Sequence, residues 1–344
     1  MRKLFLISIL LISVVCVNAT IWRVAQDDSY LPHFKTVQTA INGANAGDTI
    51  YVYPGSYSGV LLDKPLVIFG AGYFLNENSN DSISRFKSGT SIETISVNKS
   101  GSYSSIQSIS VFAGAPSVYC DSVSYFEISN CYIEGGTSLR NSSNIKIQKS
   151  IVVGQYFSIL GRLLSNGYNS WWADNITGWI SIGGYNCKAI TIKNNIISDK
   201  SINFNENSEI YIINNLIRGD IGVTNSTIEN NILMGNNFSF TNCWSQYNVI
   251  KTGSNYNFPL NNSIFATYEQ VYPNPITTDH YQLPSNSAAN GKGEGGVDCG
   301  PFGGDSPYQI SGISTIPSII DFNVKGMATE ATGLKMKIKI KANK

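Results

Sequence analysis

Six short segments of the chain repeat one pattern, and that pattern limits the fold more than any other feature does. Residues 126–133 (FEISNCYI), 145–152 (IKIQKSIV), 190–197 (ITIKNNII), 210–217 (IYIINNLI), 227–233 (TIENNIL) and 244–250 (WSQYNVI) alternate apolar and polar positions, turn at a polar pair and resume with apolar residues. Alternation with period two belongs to a strand with one buried face. The polar pair usually contains Asn, which tolerates the left-handed backbone of a tight corner. The second corner residues are Cys131, Ser150, Asn195, Asn215, Asn231 and Asn248, at intervals of 19, 45, 20, 16 and 17 residues. If the chain winds as coils, such residues stack ~4.8 Å apart. Asn194, Asn214 and Asn230, or their neighbours Asn195, Asn215 and Asn231, then form a ladder of amide hydrogen bonds along the solenoid, with a structural role.

A leucine-rich repeat also fits the short signature Ile190-x-Ile192-x-x-Asn195-x-Ile197. Those repeats need about 20 to 29 residues and a return segment on the convex side. Intervals of 16 and 17 residues are too short for that, so a β-solenoid is expected. Residues 34–44 place Val37, Ala40, Ile41 and Ala44 on one helical face, with Thr36 as a cap. Residues 47–57 (GDTIYVYPGSY) then read as turn, strand and turn, and residues 66–72 (LVIFGAG) supply the next short strand.

This order closely resembles the first coils of the pectate-lyase-like right-handed β-helix superfamily. Residues 279–283 (DHYQL) and 295–304 (GGVDCGPFGG) resemble its last coil. The resemblance covers about residues 21–305 and implies an all-β, right-handed parallel β-helix with an N-terminal capping helix that shields the open end from other chains. It implies no single reaction, because the superfamily hosts lyases, hydrolases, esterases, adhesins and inert scaffolds.

The expected organisation is a signal peptide over residues 1–19, a β-helix over 20–305 and an extension over 306–344. Arg2 and Lys3 precede a short apolar run, and Val17-Asn18-Ala19 offers small residues at a cleavage site. The run is too short to span a bilayer, which takes ~20 residues. Cys16 leaves a lipoprotein alternative, although Val15 stands where a small residue is expected. The expected location is therefore extracellular, secreted or at the cell surface, with no transmembrane segment. Cleavage would leave 22 basic residues (24 less Arg2 and Lys3) against 23 acidic ones, so nucleic acid is not an expected partner. Cys120, Cys131, Cys187, Cys243 and Cys299 are an odd set at long intervals, which reads as buried small residues and not as a disulfide framework. Residues 334–341 (LKMKIKIK) alternate apolar residues with Lys, as a protected edge strand does, and a targeting or export tail is the alternative.

Three readings of function follow. The first is recognition of polysaccharide or surface glycan without catalysis. The long interval between Ser150 and Asn195 carries Arg162, Tyr168, Trp171, Trp172 and Asp174. Flat rings there suit the C–H faces of sugars, and the polar groups suit their hydroxyls; burial of the loop as a satellite core is the rival. The second is a calcium-assisted polysaccharide lyase. It needs a base and cations near the sugar acid, for which Asp199, Arg218 and Asp220 share one edge of neighbouring coils and Glu134 sits at a similar place. Asp199 and Asp220 are the candidate calcium ligands, and solvated turn charges are the plain alternative. The third is a structural or adhesive surface protein. The resemblance ties hydrolases to Asn-x-Asp, Asp-Asp, His-Gly and Arg-x-Lys on consecutive coils. Here Asp27-Asp28 precedes the solenoid, and the two histidines are His33 and His280.

Overall fold

The structure is a computed structural model that describes residues 19–73, 75, 88–112, 116–134, 137–152, 158–160, 188–197, 202–203, 209–273, 282–308, 312, 318–329 and 333–341. Short strands follow one another around a three-sided coil, and each pairs in parallel with its counterpart one coil away. Among the described residues, two faces are ten-stranded sheets, and the third comprises a five-stranded and a four-stranded sheet. The chain is a right-handed parallel β-helix, the hand that twisted strands impose on parallel crossovers.

Register explains the core. On the first face, Ile50, Ile68, Ile106, Ile128, Ile147, Ile192, Ile212 and Ile228 are successive inward partners, and all are fully buried. Stacked β-branched side chains of one shape fill the interior without gaps, because each occupies the groove left by the last. Cys120 and Cys131 are buried within the same core. Burial pushes the Cys131 thiol up to about 12 and raises that of Cys120 as well, so both stay as protonated small apolar groups.

The corner between first and second faces divides labour within each polar pair. The first member takes the left-handed backbone: Asn130, Lys149, Asn194, Asn214, Asn230 and Tyr247 all have positive φ. The second member forms the ladder. Asn195 N and Nδ2 both donate to Asn215 Oδ1, Asn215 N and Nδ2 to Asn231 Oδ1, and Asn231 N and Nδ2 to Asn248 Oδ1, at 2.8–3.1 Å. Ser150 N donates to Asn195 Oδ1 and Cys131 N to Ser150 Oγ, so the column continues in hydroxyl form. Of the two expected alternatives, the ladder runs through Asn195, Asn215 and Asn231.

At the amino-terminal end, each open sheet edge meets a polar side chain or loop. The backbone N–H groups of His33 and Phe34 donate to Arg23 O, Gln26 Nε2 donates to Ser56 O, and Leu61 N donates to Gln38 Oε1. Gln38 belongs to the helix Val37–Gly43, which is N-capped by Thr36 and buries Val37, Ala40 and Ile41 in the main core. The strand Ile21–Val24 is fastened by Asp48, whose carboxylate accepts from Thr20 N, Asn45 N and Trp22 Nε1, each at 2.8 Å. Burial alone would raise this carboxyl's pKa, but the three donors outweigh it and hold it below its ordinary 3.8. A depressed folded pKa contributes stability above the unfolded value, and that stability is lost as pH falls through the folded one. The wild type should therefore lose thermal stability progressively below about pH 4. Asp48→Asn should be less stable at neutral pH and show a shallower acid limb, and melting curves between pH 2.5 and 7 would check both.

The second face differs from the others. Its outward column reads Ser56, Ser91, Ser110, Tyr132, Ile151, Ile196, Leu216, Ile232, Val249 and Ile264 in successive coils. The later members form a second apolar cluster with Val271, Tyr272, Ala289, Cys299 and Tyr308. Residues 282–308 therefore do not add a final coil, in contrast to the resemblance of 295–304 to one. They return along the outside of the helix. Glu294 N donates to Asn230 Oδ1, Gly300 N to Asn230 O, Asn194 Nδ2 to the carbonyls of Pro301 and Gly303, and Tyr308 and Tyr73 share a 2.8 Å hydroxyl bond. Close approach explains Gly304, where φ is +75° and a Cβ would stand 2.6 Å from Asn214 Nδ2. Beyond this segment, Ser318–Thr329 pairs antiparallel with Gly333–Lys341, so the alternating Lys strand has a partner of its own.

Candidate functional site

The expected site residues fall into two groups. Arg162, Tyr168, Trp171, Trp172, Asp174 and Asp199 lie outside the described residues. Arg218 and Asp220 flank the corner between second and third faces, and both are held by protein groups. The Arg218 guanidinium lies 5.7 Å from the centre of the Tyr268 ring, on the short helix Tyr268–Val271 that covers the second face. Asp220 Oδ1 accepts from Asn236 N and Asn237 N, and its Oδ2 accepts from Asn237 Nδ2, at 2.8–2.9 Å. Burial raises the Asp220 pKa, but these bonds and nearby Lys251 more than offset it and keep the group ionised. The carboxylate thus orders the turn of the next coil. Among the described residues, no group of three or more His, Cys, Asp or Glu is arranged to hold a metal ion. Both oxygens of Asp220 already face N–H donors, which is a poor fit to calcium, a cation that needs six or more oxygen ligands. Glu134 pairs through its backbone N–H with Val111 O and leaves its side chain exposed.

A different constellation forms on the first face. Tyr211, Thr227 and Trp244 occupy the same outward position in three successive coils. Each lies one residue before a buried inward side chain, Ile212, Ile228 and Ser245, so alternation turns all three outward. Tyr211 and Trp244 are two coil steps apart, about 9.6 Å. Small Thr227 between them leaves a notch of about 300 Å³. Ser226, Asn225, Asn242 and Glu209 complete its walls. Trp244 remains 58% exposed. Tyr211 Oη donates to a Glu209 carboxylate oxygen. That bond, followed by the carboxylate's charge, raises the phenol's pKa and holds it protonated. Asn225 and Asn242 sit in the left-handed region at the corner, with φ of 48° and 52°.

Chemically, the notch offers two aromatic side walls, amide and hydroxyl hydrogen-bonding groups, and one carboxylate. Among the described residues that line it, no nucleophile has an adjacent base and no two acids are paired. This is the equipment of a binding site for a polar ring with apolar C–H faces. Tyr211 and Trp244 both lie inside the repeats that define the fold. Their signal was an aromatic residue in an outward column that also holds Ser105, Glu127, Lys146, Thr191 and Thr227, but the repeat pattern alone does not say which outward residues become vertical neighbours.

No family model matches the chain, and no curated protein matches it. A solved structure, titled as the crystal structure of pectate lyase Pel9A, is similar over 83% of this chain and 97% of that one, at 14% identity and a TM-score of 0.38. The coils of short parallel strands on three faces, with an internal asparagine ladder at one corner, make this chain a right-handed parallel β-helix.

Proposed function

We propose that this protein is an exported β-helix that binds polysaccharide through the notch between Tyr211 and Trp244, without catalysis. The observation that carries the reading is the outward order aromatic, small, aromatic over three coils. An exposed Trp beside the polar outward residues Thr227, Glu229 and Gln246 loses free energy to hydration unless a ligand covers it. Sugars suit such a cover, because their C–H faces pack on rings while amides and carboxylates take their hydroxyls. Glu209 at the wall favours neutral sugars over uronates, since like charges close together repel. The amino-terminal segment supports export, by its charge, apolar run and small residues before position 20.

The test is affinity electrophoresis and calorimetry on a panel of soluble neutral and acidic polysaccharides. Binding to a neutral member is expected, with Trp244→Ala and Tyr211→Ala each weakening it about tenfold or more, in line with ~1–3 kcal/mol per stacked ring. Wild-type binding that neither substitution changes would remove the notch as the site. Attachment of the protein to intact cells without affinity for any glycan would favour a purely adhesive role.

A further inference from the structure

We propose that Tyr103 and Tyr125 form a modification site, at which a peroxidase-type oxidation joins their rings as a dityrosine and staples two neighbouring coils. The corner that leads into the first face repeatedly takes a left-handed backbone. Tyr103, Tyr125, Asn144, Ala189, Asn225 and Asn242 occupy it, with φ between 48° and 67°. Asn is the natural residue there, because its short polar side chain tolerates this conformation. Two bulky tyrosines in successive coils are the costly choice. Burial gives no return for that cost, since Tyr103 remains 67% and Tyr125 53% exposed. What the choice achieves is a held pair of phenols. The rings stack face to face, with centroids 4.8 Å apart and planes 11° from parallel. The backbone fixes the pair: Tyr103 N donates to Ser124 O, Tyr125 N donates to Ser143 O, and Ser105 and Glu127 are register partners just beyond.

A phenol is oxidised one electron at a time. Loss of one electron and one proton from each hydroxyl leaves two phenoxyl radicals, whose unpaired spin reaches the ring carbons beside the oxygen. One such Cε carbon from each ring then joins the other in a C–C bond. Each coupled carbon passes its hydrogen, as a proton, back to its own ring's oxygen, which restores both phenols. In sum two electrons and two protons leave the protein, and hydrogen peroxide takes them up to become two waters. The bond forms edge to edge, so both rings must swing out of their stack, and their exposure leaves room for it. Proximity decides the partner: a phenoxyl radical held against a second tyrosine couples with it before it meets another molecule. A second stacked pair, Tyr30 and Tyr53, has centroids 4.5 Å apart, but both are half-buried and Tyr51 abuts Tyr53 edge-on. Their packing resists the swing. Cys120, Cys131, Cys243 and Cys299 are free, so these cysteines tie no coil to the next. An exported chain, as proposed above, meets an oxidising compartment in which a covalent tie persists. Closing the 22 residues from Tyr103 to Tyr125 (125 less 103) restricts the unfolded chain as a disulfide does.

The test treats the full chain, in dilute solution, with a haem peroxidase and a stoichiometric amount of hydrogen peroxide. The monomer is expected to gain dityrosine fluorescence and to lose two hydrogens in intact mass. Digestion should yield a cross-linked peptide that joins Tyr103 to Tyr125, and the melting temperature should rise. Tyr103→Phe and Tyr125→Phe each keep a ring and remove a phenol, so the untreated variants should melt like the wild type. After treatment each should show at least about tenfold less dityrosine in the monomer, because the held partner is gone. Undiminished fluorescence in either variant, coupling of Tyr30 with Tyr53 instead, or dityrosine confined to dimers would overturn the proposal. So would a monomer without dityrosine while N-acetyltyrosine couples in the same mixture, and a cross-link that leaves the melting temperature unchanged would overturn the staple. The notch at Tyr211 and Trp244 is tested separately, by its own glycan panel.

Discussion

Asn215→Ala is expected to destabilise the protein by about 3–5 kcal/mol. Asn215 is fully buried and serves the ladder in both directions. Its Oδ1 accepts from both Asn195 N and Asn195 Nδ2, and its Nδ2 donates to Ile192 O, Ile213 O and Asn231 Oδ1. Alanine removes all of these at once and leaves the Asn195 backbone N–H without an acceptor in a dry interior, which costs ~1–3 kcal/mol for that group alone. A small cavity adds to the loss. Asn215→Ser should recover part of it, because Ser150 holds the same position and its Oγ accepts from Cys131 N at 3.1 Å. Urea midpoints of the three proteins would measure the order wild type, Ser, Ala. An alanine variant within about 1 kcal/mol of wild type would mean that the ladder contributes little beyond its backbone turns.

The second large effect concerns the returning carboxy-terminal segment. A chain ending at Ala266 keeps the coils but uncovers Ile151, Ile196, Leu216, Ile232 and Val249 on the outer side of the second face. At ~1.5–3 kcal/mol for each buried aliphatic side chain, the cover is worth on the order of 7–15 kcal/mol, an upper figure because unfolded chains also bury some surface. The shortened protein should aggregate on expression and bind hydrophobic dye. The earlier coils show the remedy, since Ser56, Ser91 and Ser110 fill the same column. Converting Ile196, Leu216 and Ile232 to Thr in the shortened chain should restore solubility. A shortened chain that stays soluble and melts like the full-length protein would show that the segment is not a cover.

These two regions also separate what was legible in the residues from what was not. The ladder was legible, because inward and corner positions repeat with a period that stacking turns directly into contact: Asn195, Asn215 and Asn231 had to be neighbours once the coil was recognised. The notch was half legible. Counting back from the corner residues Asn215 and Asn248 places Tyr211 and Trp244 in one outward column, but their pairing across Thr227 needs the register of three coils. At the edge with Arg218 and Asp220, sequence spacing places a carboxylate without showing the N–H groups of Asn236 and Asn237 that meet it.

The return of residues 282–308 along the second face was hidden for a further reason. The residues did carry a hint: Ile196-Ile197, Leu216-Ile217, Ile232-Leu233 and Val249-Ile250 are apolar on both sides of the sheet, as strands covered on two faces must be. Such a pair states that something lies outside without naming it. By itself, then, the amino-acid order determined the winding, the isoleucine interior and the asparagine corner, since each follows from a local period. Only the tertiary structure decided what covers the second face, which exposed rings meet, and which charges are already engaged. Those depend on contacts between residues far apart in the chain, where no period constrains the partner.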